Sequence, residues 1–459
     1  MTLAPLILAL FLAQAAPAGA DLLVAGGTVV AMDAARRVLP DGAVAIRGER
    51  IVEVGPAAEL RTRYRGAREI RATGRIVLPG LVNAHSHAPM VLFRGVADDL
   101  ALMEWLEKYI FPAEAKNVTP EFVRAGTELA CIEMIRSGTT TYCDMYYFED
   151  VIAEVTARAG MRGVLGETII GISTPDAKTP QAALDYTAKF IERWKSSRLV
   201  VPAVAPHAAF TNSAEDLRAS RALADRHGVP LVIHVSETRD EESQMQKRYG
   251  MSATEWLDSL GVFGSRTIAN HCVHLTERDM GILKARGVGI SHNPESNMKL
   301  ASGTAPVVRL LALGIAVGLG TDGAASNNDL DMFEAMDFAA KLQKLATGNP
   351  AVLPAEQVVA MATMGGARAL GLDREIGSLE AGKRADLILV DTGAAHAVPL
   401  YHVYSHLVYA LKGSDVATTI VNGRVVMLDR RVLTLNEPDV ARKAQEFQRR
   451  VAATVNVKR

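Results

Sequence analysis

The chain has 459 residues, 49% of them apolar, with 50 basic and 51 acidic side chains. That length suits one large α/β domain plus a smaller one. The near-zero net charge, without a basic block or aromatic-basic interleaving, argues against a nucleic-acid partner and for a small neutral or zwitterionic one. Cys131, Cys143 and Cys272 lie far apart with no C-x-x-C pair, so any metal must be held by histidine and carboxylate.

Residues 1–20 read as a leader. Leu3–Ala16 is apolar but short for a membrane span, and Ala18-Gly19-Ala20 is a small-x-small cleavage site. Cleavage after Ala20 would export the protein to the periplasm. The absence of Lys or Arg before the apolar run leaves a cytoplasmic alternative, and the mature chain is expected to have no membrane span.

From Asp21 the segments DLLVAGGTVVAMD, GAVAIRGERIVEVG and REIRATGRIVLPG read as short strands broken at Gly and Asp turns. Gly377–Asp391 and Ala417–Met427 repeat the style, with a hairpin turn at Asn422-Gly423. The two ends are therefore expected to form one composite β-sandwich domain, residues 21–78 with 375–440. Residues 441–459 are assigned to a C-terminal helix, the amphipathic pattern itself running over Asp439–Val455.

Between the ends, over residues 79–374, strand-like and helix-like segments alternate. The strand candidates number eight: Ile76–Asn83, Thr139–Met145, Gly163–Ile169, Val200–Pro206, Leu231–Val235, Thr267–Ala269, Gly287–Ile290 and Ala316–Leu319. Helices are expected over Pro120–Ser137, Gln181–Ser196, Ala214–His227 and Glu277–Arg286, with Gly138, Gly228 and Gly287 placed for left-handed caps. Eight βα units predict a (β/α)8 TIM barrel.

Polar residues gather at the carboxyl ends of these strands. His85 and His87 close strand one as His-x-His, and side chains at i and i+2 of a strand point the same way. His207 follows strand four, His234 and Glu237 lie in HVSE of strand five, His271 follows strand six, and Asp322 lies in GLGTDG after strand eight. Any one of them could be a hydrogen-bonded core residue, yet in a barrel all converge on one mouth, where such folds carry out chemistry.

This order, with GLVNAHSHAPMVLFRG, MEWLEKYIFPAE, SGTTTYCDMY, APHA, HVSET, SHNPESNMKLASG and GLGTDGAASNN, resembles the amidohydrolase superfamily and, within it, the 5′-methylthioadenosine/S-adenosylhomocysteine deaminases. The likeness extends over nearly all of the chain beyond residue 20. It implies that His85, His87, His234 and Asp322 bind one divalent metal ion, Zn2+ or alternatively Fe2+, with a position left for water. Superfamily members with two metals bridge them through a modified lysine after strand four. Here that region, VPAVAPHAAF, has no lysine, so one ion is expected.

The resemblance further implies an aminohydrolase acting on the C–N bond of a cyclic amidine. The ion would lower the pKa of its water, and the resulting hydroxide would attack purine C6. Asp322 would carry the water proton to the leaving amine, His271 would orient the nucleophile, and Glu237 would protonate ring N1. Trp105 would pack on the nucleoside, Glu114 would accept hydrogen bonds from the ribose hydroxyls, and His207 would lie near the ribose. The loop Gly171–Ala182, where relatives can carry an arginine for the homocysteine carboxylate, offers only Lys178. Activity on 5′-methylthioadenosine or adenosine is therefore expected to be at least comparable to that on S-adenosylhomocysteine. A homo-oligomer is expected. Two alternatives remain: the same site acting on another azine, such as guanine or a triazine, and a non-catalytic scaffold. His274 and His292 are further candidates for the mouth.

Overall fold

A computed structural model describes residues 19–455, so the leader expected over residues 1–20 lies, apart from Gly19 and Ala20, outside the described residues. Eight parallel strands close into a barrel. They are β1 (Leu81–Ser86), β2 (Thr139–Tyr146), β3 (Arg162–Ile169), β4 (Val200–Pro206), β5 (Leu231–Val235), β6 (Thr267–His271), β7 (Gly289–His292) and β8 (Val317–Leu319). The ring is sealed where Leu319 of β8 pairs with Asn83 of β1. Helices cover the outside and side chains fill the inside, so nearly every strand residue is buried. Burial on both faces is why these segments read as apolar runs rather than alternating ones.

Local signals set the helices between the strands. Thr119 and Thr179 each accept the amide three residues on and are followed by proline, which starts the helices Pro120–Arg136 and Pro180–Trp194. Ser213, Ser252 and Thr276 build full capping boxes on the helices they begin. Gly228 and Gly287 end theirs at φ +66°, a left-handed conformation that glycine adopts without a Cβ penalty.

The chain ends form one nine-stranded sheet. Five strands come from residues 22–79 and four from residues 387–432. Leu387–Asp391 pairs antiparallel with Arg75–Pro79 and so joins the two ends. Sequence alternation divides the sheet's faces. Leu387 and Leu389 join Val24, Val44 and Ile420 in the sheet's own core, while Ile388 and Val390 belong to the barrel's. Asn422 and Gly423 both have positive φ and turn the hairpin expected there. The terminal helix Glu437–Thr454 lies against Pro120–Arg136, with Phe447 edge-on to Phe122 at 5.5 Å.

One predicted strand is two. Ile76–Asn83 divides at Gly80 into Arg75–Pro79, which belongs to the end sheet, and β1 of the barrel. A Cβ on Gly80 would stand 2.1 Å from the Thr140 hydroxyl, and the Gly80 amide donates to the Asp386 carbonyl rather than to a barrel strand. The Pro-Gly step inside the apolar run was the signal for this break. Strand seven also differs. It begins at Gly289 because Gly287 is consumed as the cap of the preceding helix.

Candidate active site

The carboxyl ends of the strands carry the expected residues to one mouth. His85 is the penultimate residue of β1 and His87 follows the strand, with ring centroids 4.8 Å apart. His234 of β5 lies 5.0 Å from His85 and 5.5 Å from His87 by the same measure. Asp322 completes the group, since its Oδ1 is 3.3 Å from Nε2 of both His85 and His87. Ligand atoms of His85, His87 and His234 fall within 4.8 Å of one another, as do those of His85, His271 and Asp322.

The imidazoles are turned by partners behind them. Nδ1 of His87 lies 2.6 Å from the Met145 carbonyl and Nδ1 of His234 lies 2.8 Å from the His207 carbonyl. A carbonyl only accepts, so each Nδ1 carries a hydrogen and each Nε2 is turned towards the mouth. Neither ring nitrogen of the buried His85 has a hydrogen-bond partner. Buried polar atoms are rarely left unpaired, and three imidazoles with one carboxylate suit a divalent ion of zinc's type. The residues present therefore fit a catalytic metal.

Charge follows burial. Desolvation pushes His85 down to about 4 and His207 to about 3, and drives His234 well below its ordinary value, so all three stay neutral near pH 7. Burial pulls His87 the same way, but the Asp322 carboxylate beside it prevails and lifts it to about 9. Burial would raise Asp322, yet the imidazoles of His85 and His87 beside it, each with Nε2 3.3 Å away, hold it well below the usual carboxylate range. Glu237 is shifted up by burial, against the pull of His271.

His271 stands between the carboxylates, its Nε2 lying 3.7 Å from Glu237 and 3.8 Å from Asp322. Behind it, Asn297 Oδ1 lies 2.9 Å from Nδ1, while the neighbouring Ser296 hydroxyl donates to Asp322 Oδ2 at 2.7 Å. Both come from the short helix Pro294–Lys299 after β7. Glu241 accepts the Glu237 amide at 2.7 Å and fixes that turn. Ser236, His271 and Asp322 all have left-handed φ, of 53°, 71° and 63°. Such conformations cost on the order of 1–3 kcal/mol each and persist where the surroundings impose them, commonly at functional sites.

The mouth opens into a cavity. Trp105, Glu114 and His207 line it together with His87, His234, Glu237, His271 and Asp322, so of the residues expected to bind metal or substrate or to carry protons only the fully buried His85 does not border this space. Its apolar wall is a continuous helical run from Leu102 to Asn117. A π-helical turn over Leu106–Ile110 widens that run, and Ile110 and Phe111 both reach the cavity. Glu114 accepts the Tyr146 hydroxyl at 2.8 Å, and burial raises it to about 7. His274 and His292 do not line the cavity; His274 instead bonds the Ser302 carbonyl at 2.7 Å. Nor does Lys178, whose ammonium donates to the Thr174 carbonyl at 3.2 Å. Sequence reasoning missed Tyr146, Ser296 and Asn297, though all three lie inside motifs it used. Nothing about a Ser or Asn marks it as a support until its partner is known.

Residues 76–426 match the amidohydrolase family, and residues 42–67 match the imidazolonepropionase-like composite domain of bacteria. A 5-methylthioadenosine/S-adenosylhomocysteine deaminase of Syntrophobacter fumaroxidans is 51% identical over 432 residues, spanning 94% of this chain and 98% of that one. A 5′-deoxyadenosine deaminase of Methanosarcina mazei is 45% identical, over 95% and 100% of the two chains. The crystal structure of an adenosine deaminase from Xanthomonas campestris with bound zinc superposes with a TM-score of 0.93 at 39% identity, covering 95% of this chain and all of that one.

Proposed function

The chain belongs to the amidohydrolase family, and from that premise we propose that it is an aminohydrolase of adenosine-type nucleosides. It converts 5′-methylthioadenosine, S-adenosylhomocysteine and related 5′-substituted adenosines to the inosine analogue and ammonia. One observation carries this reading: three imidazoles and Asp322 meet at the floor of the cavity that also holds Glu237, His271 and Glu114. Purified enzyme given 5′-methylthioadenosine, S-adenosylhomocysteine, adenosine, guanine and a chlorotriazine in parallel tests it. Ammonia release from the nucleosides is expected. Faster turnover of guanine or the triazine would overturn the substrate class.

His85, His87, His234 and Asp322 would hold the ion. When bound, it supplies the Lewis acidity that makes water a competent nucleophile near neutral pH. The Glu237 carboxyl, kept protonated more readily by burial, donates to ring N1 and leaves C6 electron-poor. Asp322 takes a proton from the attacking water and passes it to the amine as the C6–N bond breaks. His271, locked by Asn297, orients that water between the two carboxylates. Glu114 offers two oxygens to the two ribose hydroxyls, and Trp105 packs on the nucleoside.

Substrate range follows from charge around the cavity. With Lys178 elsewhere, Arg239 is the cation in the adjoining groove, which shares Leu102 and Leu300 with the cavity. A homocysteine carboxylate would meet it there, whereas a methylthio group needs only the apolar wall. Zinc is the ion this donor set favours, one per chain, and metal analysis of purified enzyme tests both number and identity. No helix among the described residues is long and apolar enough to cross a membrane. Export with cleavage after Ala20 rests on the leader sequence, which mass spectrometry of the mature amino terminus tests. Assembly into a homo-oligomer is tested by light scattering.

A further inference from the structure

A second cluster of carboxylates lies apart from the cavity. Glu295 sits in the helix after β7, Asp329 in the loop after β8, and Glu334 in the first turn of the helix Met332–Thr347. Ligand oxygens of the three fall within 4.8 Å of one another. Glu295 is only 7% exposed, and neither of its carboxylate oxygens has a hydrogen-bond partner. Among the described residues, none of the three carboxylates pairs with a lysine or arginine. The charges nearby are spent elsewhere. Asp331 accepts from the Phe333 and Gly413 amides, Glu133 binds Arg94 and the Leu330 amide, and Lys299 binds Asp98 and Asn328.

A buried carboxylate without a donor is costly, and two more carboxylates facing it raise the cost. Burial, followed by repulsion from Asp329, Glu334 and Asp331, drives Glu295 well above the usual carboxylate range. Burial lifts Asp329 to about 7. Two chemistries relieve such a cluster, protons or a cation. Three carboxylates from three separate elements, open to water on the Glu334 side, match the oxygen-rich, irregular coordination of calcium, which accepts oxygen ligands at about 2.3–2.6 Å. Magnesium usually takes only one or two carboxylates and demands stricter geometry.

We propose that Glu295, Asp329 and Glu334 form a second, structural cation site that binds calcium. Its place gives it a role. Glu295 is followed directly by Ser296 and Asn297, which hold Asp322 and His271, and Asp329 lies seven positions beyond Asp322 in the same loop. A cation there ties the helix Pro294–Lys299 to the loop after β8 and to the helix Met332–Thr347, so the two strand ends that present His271 and Asp322 are braced from behind.

Calorimetric melting of the full-length, zinc-loaded enzyme, first exchanged into buffer freed of alkaline-earth ions, tests this. At about a hundredfold excess over its Kd, CaCl2 should raise Tm by roughly 3 °C for a chain of this length, and MgCl2 by less. Glu334→Gln, at an exposed position that does not threaten folding, should abolish most of that rise, and so should Glu295→Gln. A Tm indifferent to CaCl2, or an undiminished rise in both variants, would overturn the site. A larger response to MgCl2 would overturn calcium as its ion. If Glu295→Gln simply melts higher while the parent ignores CaCl2, Glu295 is a protonated carboxyl and no site exists. Substrate is absent throughout, so the outcome is independent of the deaminase reading.

Discussion

The barrel mouth and the junction between barrel and end sheet both bury charge, and they treat it oppositely. At the junction, Arg162 grips Asp386 with two guanidinium nitrogens at 3.0–3.1 Å, both side chains nearly inaccessible, and Asp386 also accepts the Asn422 amide at 2.6 Å. Every strong valence there has a partner inside the protein. At the mouth, His85 is unpartnered, Asp322 faces two imidazoles, and three backbone positions are held left-handed. One region is closed on itself and the other is completed by what it binds. Substitutions should therefore separate cleanly, with the junction costing stability and the mouth costing turnover.

The hardest test of that separation is Asp322→Asn, which would remove the proposed metal ligand and the proposed proton carrier together. Turnover should fall by about 10⁴-fold or more with zinc content reduced, while melting of the ion-free protein changes little. Glu237→Gln comes next. It should retain zinc yet lose about 10²–10⁴-fold in kcat, and an unchanged kcat would remove Glu237 from the mechanism. Arg162→Ala works the other way. Stranding the Asp386 carboxylate should cost about 3–5 kcal/mol of stability in denaturant melts, with kcat of the surviving folded enzyme unaltered.

Much of this division was legible beforehand, and the failures are instructive. His85, His87, His234, Glu237, His271 and Asp322 could be read because a barrel sends every strand end to one place, so strand register alone predicts convergence. Arg162 and Asp386 could not, since they are 224 positions apart and nothing local pairs them. The supports Ser296 and Asn297 hid for the same reason, and attention in SHNPESN went to His292, which the structure keeps out of the cavity. The break at Gly80 was visible as Pro-Gly, but an apolar run on both sides disguised two strands as one.

Smaller effects sharpen the comparison inside the cavity. Glu114, raised to about 7 by burial, should bind a ribose diol as the carboxylate. Its proton is gained as pH falls through that value, so KM for 5′-methylthioadenosine should climb below pH 7. Glu114→Gln should raise KM by about 10–100-fold and flatten that pH dependence, the equivalent of losing hydrogen bonds to a charged acceptor. The smallest expected change is in Arg239→Ala, a few-fold rise in KM for S-adenosylhomocysteine with 5′-methylthioadenosine unaffected, as suits an exposed ion pair.

Gly80 has a further consequence for modularity. One residue separates a strand of the end sheet from the strand that delivers His85, and the Asp386 carbonyl from the far end of the chain clasps its amide. The end sheet is thus spliced into the barrel's first stave rather than appended to it. A deletion that trims the ends to liberate a minimal barrel would cut the covalent anchor of His85 and His87, and a graft of this mouth onto another scaffold must carry residues 75–87 as a unit.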